Sequence, residues 1–284
     1  MKVIWYNQAF GNWDSGLLAS VFEKHPTLFE HINSKELVYA EKAIIVIVGK
    51  PDIPPLRQYL ETFKSGIVIL TSEEDSYFDW KSAIPPHLEI WTQYFQAATK
   101  AEIKDRLLIG APYRIKDYKI NRNDECDRKY LWSFVGQLQN PFRLACVDVL
   151  SRLPDGFMRI VEGFGGQGES GMDYQEYLDI MCNSKYVICP SGSMVVDSFR
   201  VYEAIECGAI PITEPRCPRD PEGYNWWNDV YPKHQLLLVD KWTDLPAILE
   251  RPVNFPLQAD IDNHWYHVYK RELEEKLLYA ANKD

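Results

Sequence analysis

The sequence predicts an α/β protein that folds into two successive lobes, each with a mainly parallel sheet. Short apolar runs alternate with longer stretches of helical spacing, which is typical of α/β layers. The chain has 284 residues, more than one compact core usually fills. Near the middle, the charged segment Asn121–Lys129 has no apolar periodicity and is the best candidate linker. We therefore expect one lobe over residues 1–125, a second over 126–265, and a final helix over 266–284.

In the first lobe, buried strands are predicted where apolar residues run without interruption. These runs are Lys2–Tyr6, Lys42–Val48, Gly66–Thr71 and, more weakly, Leu107–Ile109. Helical spacing predicts three helices in the same half, at Gly16–Lys24, Pro55–Phe63 and Leu88–Ala98. The third prediction rests on Trp91, Tyr94 and Phe95, which recur at the spacing of one helix face.

The second lobe continues the alternation of strands and helices. Its predicted strands are Tyr130–Val135, Met158–Glu162, Tyr186–Cys189, Ile210–Thr213 and Gln235–Val239. Its predicted helices are Phe142–Leu153, Tyr174–Ser184, Ser198–Cys207 and, near the end of the chain, Tyr266–Ala281. Because ligands of open parallel sheets collect at the carboxyl ends of strands, a binding site is expected in the loops that follow these strands.

The composition argues against several classes of partner. The net charge is −10 and the basic residues are dispersed, which disfavours a nucleic-acid partner because phosphate backbones attract clustered Lys and Arg. No run approaches the roughly 18 apolar residues of a membrane helix, and the first residues do not resemble a secretory signal. Cys146, Cys189 and Cys207 lie in apolar or small-residue settings, which predicts buried free thiols and a reducing compartment. We therefore expect a soluble, cytoplasmic protein without membrane insertion.

The most informative stretch is Ser184–Thr213, in which a strand, a tight turn, a helix, a glycine and another strand follow one another. The turn Pro190–Ser193 consists of Pro, Ser and Gly residues, so its backbone can approach a ligand closely. The next helix can begin at Asp197 or at Ser198. Its free amide groups form an anion site that suits a diphosphate.

Two charged residues of this helix are candidate ligand contacts. Arg200 lies in the first turn and can add charge-assisted hydrogen bonds to phosphate. Glu203 follows three residues later and can accept both hydroxyls of a ribose. The alternative is a structural ion pair between Arg200 and Glu203, because Arg and Glu at this spacing pair on many helices.

This ordered string resembles the signature of the exostosin-like glycosyltransferases (glycosyltransferase family 47). The signature stands here as Cys189-Pro190-Ser191-Gly192, Ser198-Phe199-Arg200, Glu203-Ala204-Ile205, Gly208 and Pro211. The resemblance is tight over this stretch and looser from Trp132 onward. It implies two Rossmann-like lobes facing a cleft, the GT-B type of glycosyltransferase. The N-terminal lobe would bind the acceptor, the C-terminal lobe would bind the nucleotide sugar, and the last helix would pack back on the first lobe.

A second constellation, Trp132–Arg143, contains a strand that ends in Gly136, a polar loop, and Arg143 one turn into a helix. The resemblance makes Arg143 a phosphate contact that stabilises the leaving diphosphate; the alternative is an exposed helix arginine. The glycine-rich loop Glu162–Gly171 lacks the helix start that a dinucleotide fingerprint requires, so it either lines the donor site or is a surface loop. The full predicted donor-nucleotide site is Gly136, Arg143, Ser191, Gly192, Ser193, Ser198, Arg200 and Glu203.

The resemblance implies inversion at the anomeric carbon without a bound metal. Such a reaction needs a base for the acceptor hydroxyl and positive charge for the departing diphosphate. The segment Thr71–Trp80 directly follows a predicted strand and carries three acids. Asp75 is the first choice of base, with Glu74 and Glu73 as alternates, and a capped helix start is the other interpretation of these acids. Asp75, Glu74 and Arg143 form the predicted catalytic set.

A metal-dependent, single-domain glycosyltransferase fold is the alternative architecture. It needs a carboxylate pair that holds a divalent cation against the diphosphate. Asp260 and Asp262 have the Asp-x-Asp spacing, but they come after the last predicted strand. We therefore expect no metal site and no cofactor, with a UDP-sugar as co-substrate. Arg114, after the weak strand, is a further candidate for the cleft.

The expected function is transfer of a sugar from a UDP-sugar to a hydroxyl of an oligosaccharide or glycoprotein glycan. A neutral sugar such as xylose or galactose is preferred. Two alternatives stay open: a fucosyltransferase-like enzyme that uses a GDP-sugar, and a carbohydrate-binding protein without catalysis. Without an anchor, the chain would be a microbial or viral cytosolic form or a trimmed catalytic domain.

Overall fold

The computed structural model describes residues 1–7, 10–11, 13–33, 38–49, 51–71, 79–93, 103–123, 127–138, 142–162, 171–192, 195–216, 225–251 and 255–282. The chain divides into two compact units. Unit 1 comprises Met1–Arg114 together with Tyr269–Asp284, and unit 2 comprises Ile115–Val268. Each unit is an α/β layer structure with its own parallel sheet.

The boundary between the units lies at 114/115, which corrects the predicted boundary at 125/126. Residues of the expected linker already bond to unit 2. Arg122 donates hydrogen bonds to the carbonyl oxygens of Ile205 and Glu206, both at 2.9 Å. It also pairs with the Asp262 carboxylate at 3.0 Å. These contacts fix the expected linker to unit 2. The charged composition of the segment did not indicate such contacts.

Unit 1 contains a six-stranded sheet in the order β2-β1-β3-β4-β5-β6, and every neighbouring pair is parallel. Its strands are β1 (Lys2–Trp5), β2 (Glu30–Asn33), β3 (Lys42–Val48), β4 (Ser65–Thr71), β5 (Glu89–Thr92) and β6 (Asp105–Arg106). Its first three helices are α1 (Gly16–Phe22), α2 (Ile53–Leu60) and α3 (Trp80–Ala83). The central strand β3 is almost entirely buried, as expected of a parallel strand covered on both faces.

The predicted helix Leu88–Ala98 is wrong over its described part, because Glu89–Thr92 forms strand β5. This strand runs parallel to β4, with Ile67 opposite Glu89 and Leu70 opposite Thr92. Tertiary pairing therefore overrides the helical spacing of the aromatic residues. Residues 94–98 lie outside the described residues.

The weakly predicted strand Leu107–Ile109 was placed too late in the sequence, because the short strand β6 ends at Arg106. Leu107, Leu108 and Ile109 are nevertheless buried in the core of unit 1. The Leu108 amide donates to the Tyr269 hydroxyl at 2.7 Å, so this run packs against the last part of the chain.

Unit 2 contains a five-stranded parallel sheet in the order β11-β10-β9-β7-β8. Its strands are β7 (Tyr130–Gly136), β8 (Gly156–Ile160), β9 (Ser184–Cys189), β10 (Ile210–Thr213) and β11 (Leu237–Leu238). Its helices are α4 (Phe142–Leu150), α5 (Tyr174–Cys182), α6 (Phe199–Glu206), α7 (Trp226–Val230), α8 (Leu245–Leu249) and α9 (Phe255–Asn263). The strands predicted for the second lobe are confirmed with shifted ends, and Cys146, Cys189 and Cys207 are buried free thiols as predicted.

Helix α6 stops at a glycine that the sequence marked as its end. Gly208 has φ of +71°, in the left-handed region that favours glycine. Its amide donates to the Ile205 carbonyl at 2.9 Å. A Cβ at this position would lie 3.0 Å from Nη2 of Arg128, so there is little room for a side chain.

The chain ends in a π-helical segment, His264–Tyr269, and helix α10 (Lys270–Asn282). Helix α10 belongs to unit 1. Glu274 accepts from Lys24 at 2.8 Å and bonds to His25 at 2.7 Å, and Lys276 pairs with Asp105 at 2.6 Å. Among the described helices, none is long and apolar enough to cross a membrane.

Candidate functional site

Ser191, Arg143 and Arg200, three residues of the predicted donor site, lie near one another at the carboxyl edge of the unit 2 sheet. Three adjacent strands, β10, β9 and β7, end at this edge. The turn that contains Ser191 follows β9, Arg143 lies in the first turn of α4 after β7, and Arg200 lies in the first turn of α6. Parallel strands bring their following loops to one edge, so residues far apart in sequence meet there.

Arg143 is held by two carbonyl oxygens. Its Nε donates to Ser191 at 3.1 Å, and its Nη1 donates to Gln137 at 3.3 Å. Burial, and then the charge of Arg200, lower the pKa of Arg143 to about 10. The guanidinium still carries its charge at neutral pH, and the neighbouring cation indicates a site that attracts an anion.

Arg200 is only partly satisfied by the protein. Its Nη2 donates to the Val135 carbonyl at 3.0 Å, and its guanidinium lies 5.1 Å from the Phe134 ring centre. Its Nε and Nη1 are buried and have no hydrogen-bond partner within the described residues. Buried guanidinium groups are normally paired, so these atoms indicate a ligand position.

The start of α6 supplies further donors beside Arg200. Ser198 is the residue that precedes the helix, and its side chain does not cap the helix amides. Its Oγ is buried and has no partner among the residues that the structure describes. The uncapped amides and this hydroxyl can therefore donate to an anion at the helix start.

Glu203 occupies a more enclosed position than the sequence suggested. It is 4% exposed, and its two oxygens accept from the hydroxyls of Tyr174 (2.5 Å) and Tyr177 (2.7 Å). Burial and the neighbouring Glu203 raise the pKa of Tyr177 well above its ordinary value. Both carboxylate oxygens of Glu203 therefore bond to tyrosine hydroxyls of helix α5, and Nη2 of Arg200 bonds to a main-chain carbonyl. The role of Glu203 toward a ribose stays a prediction.

The turn after β9 is fixed by a residue that the sequence analysis missed. Ser191 is fully buried, and its amide donates to Glu214 Oε2 at 2.8 Å. The next amide, of Gly192, donates to the Val195 carbonyl at 2.8 Å. Glu214 directly follows strand β10, so the rule that sites lie at the carboxyl ends of strands could have identified it.

Several predicted residues lie outside the described residues, namely Glu73, Glu74, Asp75, Ser193 and the glycine-rich loop 163–170. Arg114 is described in unit 1, where its guanidinium lies 4.0 Å from the Trp13 ring centre. Asp262, one of the Asp-x-Asp pair, is paired with Arg122. Among the described residues, no group of three or more His, Cys, Asp or Glu side chains could hold a metal ion.

Solved structures with a similar fold include two glycosyltransferases and a putative UDP-N-acetylglucosamine 2-epimerase from Listeria monocytogenes. The epimerase superposes with a TM-score of 0.52 at 11% identity, over 98% of this chain and 95% of that chain. An α1,3-fucosyltransferase superposes with a TM-score of 0.54 at 11% identity, over 100% of this chain and 90% of that chain. AviGT4, a glycosyltransferase involved in avilamycin A biosynthesis, gives 0.50 at 12% identity, over 100% and 97%. At these identities the likeness concerns the fold, which is of the GT-B type.

Sequence relatives point to a narrower group. The ribitol-5-phosphate xylosyltransferase 1 proteins of Mus musculus and Homo sapiens are 28% and 27% identical to the chain over 168 residues. The match covers 53% of this chain and 37% of each relative, so the chain spans well under half the length of these relatives. The exostosin-like resemblance stays a prediction, since these matches carry a different family name. The family described as the RXYLT1 C-terminal domain matches residues 115–284, more than half of the chain, and the chain belongs to this family.

Proposed function

We propose that the chain is an inverting, metal-independent glycosyltransferase that moves a sugar from a UDP-sugar to a hydroxyl of a glycan acceptor. The observation that carries the proposal is the start of helix α6. There, Nε and Nη1 of Arg200 and Oγ of Ser198 are buried without partners among the described residues. Arg143 adds a second cation at the same edge. Such a set of donors fits a diphosphate.

The chemistry of the proposed reaction assigns these donors to the leaving group. As the bond between the sugar and the diphosphate breaks, negative charge grows on the diphosphate oxygen. Preorganised guanidinium groups stabilise this charge more strongly in the transition state than in the ground state. Arg143 and Arg200 are already fixed to main-chain carbonyls, so little reorganisation is needed. Asp75, with Glu74 as the alternate, is proposed as the base for the acceptor hydroxyl.

Xylose is the first sugar to test, with galactose second. The sequence favoured a neutral sugar, and the curated relatives are named as xylosyltransferases. Those names also mention ribitol 5-phosphate, which makes a phosphorylated alditol the first acceptor to test. The acceptor class is otherwise the oligosaccharide or glycoprotein glycan predicted above.

Thermal unfolding in the presence of nucleotides tests the donor assignment. UDP at a hundred times its dissociation constant is expected to raise the free energy of unfolding by about 2.7 kcal/mol. EDTA should not change this increase in the free energy of unfolding. UDP-xylose should stabilise the protein more than UDP-galactose does. Stabilisation by GDP but not by UDP would favour a GDP-sugar donor, and no stabilisation by any nucleotide would overturn the donor site.

A substitution at the proposed base tests catalysis separately from binding. Asp75→Asn should abolish turnover without changing the stabilisation by UDP. A non-catalytic binder would show no turnover even in the wild-type protein.

Gly136 offers a second test, because it lies directly beside Arg200. A Cβ at this position would lie 2.5 Å from Nη2 of Arg200 and 3.2 Å from the Phe134 ring. Gly136→Ala is therefore expected to displace the guanidinium and to lower UDP affinity about tenfold. The melting temperature without ligand should change little, because the flexible end of Arg200 can move. Calorimetric titration with UDP measures the loss; wild-type affinity in the variant would contradict the placement of Arg200.

A further inference from the structure

A chain of hydrogen bonds joins the carboxyl ends of three neighbouring strands in unit 2. It starts at Glu214, directly after β10, whose Oε2 accepts from the Ser191 amide at 2.8 Å. The Ser191 carbonyl, after β9, accepts from Nε of Arg143 at 3.1 Å. Nη1 of Arg143 then donates to the Gln137 carbonyl, after β7, at 3.3 Å. Since β10, β9 and β7 are adjacent in the sheet, the hydrogen bonds run straight across its edge.

At its Glu214 end, this series of hydrogen bonds is also held by two tryptophan side chains. Oε1 of Glu214 accepts from the indole N–H of Trp242 at 3.0 Å, and the Glu214 main-chain oxygen accepts from the indole N–H of Trp227 at 2.9 Å. Both tryptophans are buried. The carboxylate thus accepts one N–H group on each oxygen, and its position is fixed by two rigid side chains.

Glu214 is a half-buried carboxylate near the charge of Arg143, yet within the described residues no ion pair joins the two side chains. Burial raises its pKa, while the hydrogen bonds from Ser191 and Trp242 and the charge of Arg143 oppose this shift. Within the described residues, Arg143 bonds only to carbonyl oxygens, through Nε and Nη1. A direct bidentate pair with Glu214 would occupy the guanidinium, whereas a link through Ser191 leaves Nη2 available to an anion.

We propose that Glu214 is a positioning residue of the donor site: it orients the Ser191 main chain, which in turn holds the Arg143 guanidinium toward the diphosphate. This inference rests on the proposed function for the identity of the ligand. The link itself is a property of the protein alone, and it can be tested without a nucleotide.

Glu214→Gln is the sharpest substitution, because it keeps the size of the side chain. The carboxylate accepts on both oxygens, but the amide has only one acceptor and places an NH₂ group against the other N–H donor. The bond to Ser191 or the bond to Trp242 is therefore lost. We expect UDP affinity to fall about tenfold. The control is Asp148→Asn on the same helix as Arg143; Asp148 is exposed and pairs with Arg152, and UDP affinity should not change.

A coupling experiment separates positioning from a general structural role. In an Arg143→Ala background, Glu214→Gln is expected to have no further effect on UDP affinity, whereas in an Arg200→Ala background the tenfold loss should persist. A tenfold loss in the Arg143→Ala background, or wild-type affinity in Glu214→Gln alone, would overturn the proposal. If Glu214→Gln does not fold, Trp242→Phe replaces it. That variant removes one donor to the carboxylate, and the same dependence on Arg143 is expected, with a loss of about threefold.

A measurement without ligand keeps the inference distinct from the proposed function. The Arg143 Nε–H resonance, assigned by its loss in Arg143→Lys, is expected to shift in Glu214→Gln and to stay in place in Asp148→Asn. An unchanged resonance would overturn the link whether or not UDP binds. A shifted resonance in a protein that binds no UDP would support the link and remove the donor-site assignment instead.

Discussion

Replacing Arg200 with alanine is expected to lower kcat/KM for the UDP-sugar by about 100- to 1000-fold, the range found when a preorganised donor to a developing anion is removed. Two of its nitrogens are buried without partners among the described residues, and the proposed diphosphate would pair with them. The fold should survive, since within the described residues the side chain contributes the hydrogen bond to Val135 and the contact with the Phe134 ring. Steady-state kinetics, together with thermal unfolding, measures both parts of this prediction.

Two further variants sharpen the Arg200 experiment. Arg200→Lys keeps the charge but not the planar group of donors, so only partial recovery is expected. Arg152→Ala removes an exposed arginine just after helix α4, where it pairs with Asp148, and kcat/KM should stay at the wild-type value. A result in which Arg200→Ala retains full activity would contradict the assignment of this side chain to the diphosphate.

Replacing Glu203 with alanine is expected to destabilise the protein by about 3 kcal/mol, because two buried phenol hydroxyls lose their acceptor. Both oxygens of this carboxylate are engaged, one by Tyr174 and the other by Tyr177. Glu203→Gln should be milder, at about 1 kcal/mol, since the amide can accept from one hydroxyl and donate to the other. Urea denaturation of the three proteins measures these differences.

The same variants test whether Glu203 also contacts a ribose. A structural role predicts that UDP affinity of the folded Glu203→Gln protein stays close to the wild-type value. A ribose contact predicts a clear loss of affinity at little cost in stability. Glu176→Ala is the control on the neighbouring helix α5: Glu176 is exposed and bonds to Arg159 at 3.4 Å, and neither quantity should change.

The sequence identified the buried strands better than the edge strands. Strand β3 coincides with the apolar run Lys42–Val48, because a parallel strand covered on both faces is apolar throughout. Strand β2, Glu30–Asn33, lies at the edge of its sheet and buries only Ile32, so its sequence carries no comparable signal. Helices α7 and α8 have five residues each, too few for a periodic pattern to be recognised.

In the candidate site, local sequence predicted the proposed ligand contacts but not the residues that support them. Arg143 and Arg200 were predicted because each lies in a recognisable strand–turn–helix segment. Glu214 and Trp242 were missed because they contribute through tertiary contacts: Glu214 lies 23 residues after Ser191, and Trp242 lies 28 residues after Glu214. No local sequence pattern predicts such contacts between distant residues, because they depend on strands β9 and β10 being neighbours in the sheet.

The placement of α10 in unit 1 has a consequence for the order in which the chain can fold. Unit 1 is discontinuous: its last helix is synthesised only after the whole of unit 2 has been synthesised. Until then, the ends of the Lys24, His25 and Asp105 side chains lack their partners on α10. Unit 2, Ile115–Val268, is continuous and can close on itself during synthesis. Completion of the N-terminal unit is therefore a late event that must wait for the synthesis of unit 2, even though its sheet is made first.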